Sequence, residues 1–139
     1  GSFNDLLKDY NDFEAVAKVD IEGGEWKLFS ETSDATWNKI RQFCCELHIY
    51  DGYFTQPAPI SHILTQVTKN FKLVHIHGNN NLDHFMVNDK ALPYLLECTF
   101  ANSNYYDLKP SDEVFPTELD SPNFVNRGPD IHLGKFVFE

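Results

Sequence analysis

A chain of 139 residues, 42% of them hydrophobic, can bury a core and has the size of one domain. Its 21 acidic against 11 basic residues leave a net charge of −10, which disfavours nucleic acid or an anionic membrane surface as partner, since both attract clustered Lys and Arg. The three cysteines, Cys44, Cys45 and Cys98, are odd in number and two are adjacent, which argues against a disulfide framework and for a reducing, cytoplasmic compartment.

No apolar run approaches the roughly eighteen residues of a membrane span, and the chain does not open with the pattern of an export signal. Gly1-Ser2 reads as an expression scar, with the natural sequence starting near Phe3. Phe3, Leu6, Leu7, Tyr10 and Phe13 recur at helical spacing and predict an amphipathic helix over 3–13. The apolar run 14–21, stopped by Gly23-Gly24, predicts a strand buried on both faces, and 25–29 returns to helical spacing. A second strand is expected over 41–50, ended by Asp51-Gly52. Pro57 and Pro59 mark a loop, and Ile60, Ile63, Leu64, Val67 and Phe71 predict a helix. Residues 72–77 form a third strand, stopped by Gly78-Asn79-Asn80-Asn81, and 94–100 a fourth. Residues 3–109 are thus read as the folded unit and 110–139, punctuated by Pro110, Pro116, Pro122 and Pro129, as an ordered wrap or tail.

Strands alternating with helices imply an α/β sheet with parallel strands, whose ligands sit beyond the carboxyl ends of the strands. That rule gathers Asp20 and Glu22, Glu46 and His48, and His75, His77 and Asn79 at one edge. Glu46 with His48, and His75 with His77, are two apart and share a face, so each pair can bind a divalent cation or act as base and orienting partner. Taken singly, Glu46 and His75 read as satisfied polar groups that fix loops; His48, His77 and Asp20 together read as functional. Asp20 stands out because a charge inside a strand end costs burial energy without a partner or ligand. Glu25 reads as a helix first-turn stabiliser and Trp26 as core. The cysteines lack Cys-x-x-Cys spacing and read as packing residues, and neither a phosphate loop nor a Gly-x-Ser-x-Gly elbow occurs.

The segment Lys18-Val19-Asp20-Ile21-Glu22-Gly23-Gly24-Glu25-Trp26 resembles the Lys-x-Asp-x-Glu-Gly-x-Glu signature of the FkbM-type methyltransferases. Cys45-Glu46-Leu47-His48 is similar to their Glu-x-His strand end. Residues 75–80, 96–100 and 115–123 are similar to segments of one bacterial branch of that family. The resemblance implies a Rossmann-like methyltransferase fold that transfers a methyl group from S-adenosylmethionine to a hydroxyl of a sugar, glycan or other small metabolite. It implies Asp20 beside the transfer centre, Asp20 and Glu22 as cofactor-binding residues, and His48 or His77 as the base. Glu46, His75 and Asn79 are then the substrate-binding residues. The glycine-rich turn and the acidic ribose-binding strand end of that fold do not occur in this sequence. The resemblance therefore implies the carboxyl-terminal half of the domain, strands four to seven, mainly parallel with one antiparallel strand near the end. Such a half is expected to bind S-adenosylmethionine weakly or not at all and to be inactive on its own. Its 14–21 strand is expected to expose an edge through which it forms a homo-oligomer. Two other classes fit the residues: a metal-dependent hydrolase or lyase with Asp20, Glu22, His48 and His77 as ligands, and a non-catalytic binding module.

Overall fold

The computed structural model describes residues 2–10, 14–49, 57–87 and 89–135. Four helices are described: α1 (Phe3–Leu7), α2 (Glu25–Glu31), α3 (Asp34–Trp37) and α4 (Pro57–Thr68). Four long or central strands are β1 (Ala15–Val19), β2 (Ile40–His48), β3 (Phe71–Gly78) and β6 (Leu95–Asn102), and the short ones are β4 (His84–Val87), β5 (Lys90–Pro93), β7 (Val114–Phe115) and β8 (Gly134–Lys135). The chain is therefore mixed α/β, and among the described residues no helix is long and apolar enough to cross a membrane.

The main sheet has the order β1-β2-β6-β3. β1 pairs with β2 in parallel, whereas β6 pairs antiparallel with both β2 and β3. Pairings in this sheet are thus mostly antiparallel, where the sequence predicts a mainly parallel sheet with one antiparallel strand near the end. The physical reason is the connection: β3 passes to β6 through the β4–β5 hairpin without a crossover helix, and a strand that returns without a crossover runs antiparallel. β1, β2 and β3 still run in one direction, because β2 and β3 are each antiparallel to the strand between them.

Packing follows the alternation of side chains along the strands. Phe43, Cys45 and Leu47 of β2, with Cys98 and Phe100 of β6 and Phe71 and Ile76 of β3, join Trp26 and Phe29 of α2, Trp37 of α3 and Ile60 and Val67 of α4 in one core. The expectation that β1 is buried on both faces is corrected here: Ala15 and Val19 are buried, but Val16 is 69% exposed. Among the described residues β1 is an edge strand, with Val16 exposed on the face opposite the core. The first helix is also shorter than its periodicity predicts. Ser2 caps it, its hydroxyl accepting the Asp5 N–H at 3.2 Å, and it ends at Leu7, with Leu6 and Tyr10 exposed. Phe13, Tyr50 and the Asp51-Gly52 strand end lie outside the described residues.

Between β1 and α2 the chain turns through Glu22 (φ 53°) and Gly23 (φ 90°), two consecutive left-handed residues, and the Gly24 N–H donates to the Ile21 carbonyl at 3.1 Å. Glycine takes that conformation without the steric cost a Cβ imposes. The C-terminal segment lies along β3 through side-chain contacts: the Phe115 ring meets His75 edge-on, 5.4 Å between centroids. It also packs where β3 ends, since a Cβ at Gly78 would come within 2.8 Å of Pro93 Cγ and 3.2 Å of Ile131 Cβ. Gly78→Ala is accordingly expected to destabilise by about 1–3 kcal/mol, through overpacking. Urea denaturation checks the size, and protease sensitivity of residues 103–135 checks that the C-terminal segment is what gives way.

Candidate functional site

The carboxyl ends of β1, β2 and β3 meet at one edge of the sheet, as the co-directional strands require. From β1 come Asp20 and, in the turn that follows, Glu22. Asp20 is corrected in one respect: its side chain is 44% exposed and lies 3.5 Å from the Lys18 ammonium, so it is not a charge held at the cost of burial. Glu22 is 87% exposed.

β2 brings the best-ordered group. The His48 backbone N–H donates to Glu25 Oε1 at 2.7 Å, and His48 Nδ1 lies 3.0 Å from the same oxygen. The Trp26 indole N–H donates to the His48 carbonyl at 3.0 Å. Two consecutive residues of α2 thus hold the backbone and ring of His48. Its Nε2 faces Glu22 Oε2 at 3.5 Å and Glu46 Oε2 at 3.6 Å. Glu25, which the sequence explains as a first-turn carboxylate, is instead completely buried.

Glu46 shares that face of β2. Burial pushes its carboxyl above the ordinary carboxylate range; His48 and the Asn79 hydrogen bond pull it down, and Asp20 and Glu97 add to the rise. Asn79 donates from Nδ2 to Glu46 Oε1 at 2.9 Å and accepts the Asn81 N–H on Oδ1 at 2.9 Å, so it fixes both the carboxylate and the turn after β3. Glu97 of β6 is the cross-strand neighbour of both Glu46 and His77. The sequence reading did not single out Glu97, because β6 runs the other way and contributes its starting end to this edge.

The two histidines of β3 are engaged by the C-terminal segment. His75 Nε2 lies 2.9 Å from Asp120 Oδ1, and His77 Nε2 lies 2.8 Å from Asp130 Oδ1, with His77 Nδ1 3.8 Å from Glu97 Oε2. Burial raises the Asp120 carboxyl, but hydrogen bonds from the Thr117 N–H and hydroxyl and from His75 outweigh it and hold the group below the ordinary range. A carboxylate lowered in this way stabilises the fold above its unfolded pKa, and that stabilisation is lost as pH falls through the lowered value. The C-terminal segment is therefore expected to loosen below pH ~4, the ordinary carboxylate range. Amide exchange at Thr117 and Leu119 measured against pH checks this, and Asp120→Asn should abolish the pH dependence, with protection about 1–2 kcal/mol weaker than wild type at neutral pH and equal to it at low pH.

A cavity of about 300 Å³ opens beside this edge, lined by Lys18, Asp20, Cys44, Cys45, Glu46, His75, His77, Glu97, Cys98, Thr99 and Asp120. Of the predicted site residues it collects Asp20, Glu46, His75 and His77. His48 and Glu22 stand beyond its lining, joined to it through Glu46, and Asn79 supports it from behind.

No protein-family model, curated protein or solved structure matches this chain. The chemistry of the site therefore rests on its own groups. All three thiols are free. Burial pushes Cys98 up to about 12 and Cys45 still higher, which keeps both protonated and unreactive. Among the described residues no three His, Cys, Asp or Glu side chains converge as a metal site does; of the predicted ligands, Glu22 approaches His48, whereas the His77 ring is turned to Asp130 and Glu97.

Proposed function

We propose that this chain forms the acceptor side, strands four to seven, of an S-adenosylmethionine-dependent methyltransferase domain acting on a hydroxyl of a sugar or other small metabolite. The observation that carries the reading is the strand arrangement. Three strands run in one direction and the last long strand, β6, enters antiparallel between β2 and β3. This agrees with the half-sheet, antiparallel near its end, that the motifs around Asp20 and His48 imply.

The residues fit the methyl donor by charge. Asp20 and Glu22 are accessible carboxylates at the carboxyl end of β1; Asp20 lines the cavity and could receive the cationic methionine end there, with Glu22 beside it in the turn. When bound, that cofactor supplies an electrophilic methyl group. A neutral hydroxyl is a weak nucleophile, and His48 Nε2, which borders the cavity through Glu46 at 3.6 Å, would take its proton as the oxygen forms its bond to carbon. His48 would hold the acceptor's proton, and S-adenosylmethionine would supply the methyl group and leave with the electron pair of its carbon–sulfur bond. Glu46, steadied by Asn79, and His75, steadied by Asp120, supply hydrogen-bonding groups to an acceptor in the cavity.

Methyl transfer from radiolabelled S-adenosylmethionine to a panel of monosaccharides and small hydroxylated metabolites tests the proposal, using the longest natural polypeptide that carries this sequence. Label in an acceptor hydroxyl supports it. Transfer to none of the panel, with the polypeptide folded, overturns it.

A further inference from the structure

Glu25 has a role that its position in the first turn of α2 does not explain. A first-turn carboxylate stabilises a helix from the surface, where water solvates it and the exposed N–H groups attract it. Glu25 is instead 0% exposed, and its Oε2 is buried with no hydrogen-bond partner among the described residues. Burying an ionised group with one oxygen unmatched is unfavourable, so the other oxygen must do something the fold uses. That oxygen, Oε1, receives the backbone N–H of His48 and faces its Nδ1.

We infer that Glu25 is a positioning residue: it holds the proton of neutral His48 on Nδ1 and leaves the lone pair of Nε2 on the side of Glu22 and Glu46, at the border of the cavity. The inference deepens the methyltransferase proposal and rests on it for the catalytic consequence, but not for the tautomer. As a carboxylate, Glu25 offers only acceptor oxygens, so the His48 nitrogen that hydrogen-bonds to its Oε1, Nδ1, is the protonated one. The opposite nitrogen then has no proton and can accept one. Once it does, Glu25 on one side and Glu22 and Glu46 on the other face the imidazolium, at 3.0, 3.5 and 3.6 Å. The same arrangement, a buried carboxylate fixing tautomer and ring orientation, recurs wherever histidine serves as a general base.

Long-range proton–nitrogen correlation NMR of the labelled chain reads the tautomer directly, at a pH where the ring is neutral. The expected result is a protonated Nδ1 and an unprotonated Nε2 for His48. Glu25→Leu removes the acceptor and should move the population to the Nε2–H form. Glu25→Gln keeps a carbonyl acceptor and should retain the Nδ1–H form, which covers the case in which the leucine variant does not fold. In the methyl-transfer assay, Glu25→Leu should lower kcat about 10–100-fold with KM little changed. A wild-type His48 protonated on Nε2, or a tautomer indifferent to Glu25→Leu, overturns the inference. If the tautomer is as expected and no acceptor is methylated, the methyltransferase reading fails and the positioning role of Glu25 stands.

Discussion

Phe43→Ala is expected to lower the free energy of unfolding by about 3–5 kcal/mol, a large part of the total stability of a chain of this size. Phe43 is 0% exposed at the middle of β2. Its ring lies 4.9 Å from Phe100 in a stacked pair, 5.2 Å from Phe71, 5.4 Å from Trp37 and 5.6 Å from Phe29. One side chain thus ties β2 to β6, β3, α2 and α3. Four aromatic neighbours cannot close on the space left by a phenyl ring without leaving their own rotamers, so the full cavity cost is retained. Equilibrium urea denaturation checks it: the midpoint should fall with the slope unchanged. A loss under about 1 kcal/mol would show that the cluster collapses around the gap and that Phe43 is not its keystone.

The second large effect is on rate. His48→Gln should lower kcat for methyl transfer by about 10²–10⁴-fold, the usual contribution of a positioned base, while leaving KM for the donor within a few fold. Glutamine keeps a polar group of similar reach but cannot take a proton at neutral pH. Because the backbone N–H and carbonyl of residue 48 make the contacts to Glu25 and Trp26 whatever the side chain, the local fold should persist, which circular dichroism would verify. Activity within tenfold of the wild type would remove His48 from the proton-transfer step. The same substitution at His77, whose ring nitrogens face Asp130 and Glu97, should instead act mainly on the attachment of the C-terminal segment.

Much of the α/β framework is legible along the sequence, because hydrophobic periodicity is a local signal. β1, β2, β3 and β6 fall within a few residues of the apolar runs that announce them, and α2 and α4 follow their spacing. The β4–β5 hairpin escapes that reading, since two four-residue strands carry too little pattern. Its one cue is the Asn88-Asp89 pair after Val87, and Asp89 does adopt φ 64°. The convergence of strand ends was also readable, because it follows from topology. What pairs with what was not. Glu25 lies 23 residues from His48, and Asp120 and Asp130 lie 45 and 53 residues from His75 and His77 in a segment without periodicity. Such partners are set by how loops close over the sheet, and nothing local marks them. Asp20 is exposed for a related reason: the edge position of β1 is a property of the whole sheet, which no local pattern marks.

That edge constrains whatever comes to lie beside it. Among the described residues β1 is paired on one side only, so its outer row of backbone N–H and C=O groups is a template for one more strand. The template is selective. Lys18 and Asp20, bridged at 3.5 Å, stand on the same face as exposed Val16, and charged side chains at an edge discourage flat apolar segments from adding at random. A strand that docks there has to cover Val16 with an apolar side chain while leaving the Lys18–Asp20 pair in water, and it would run beside the cavity that Asp20 lines.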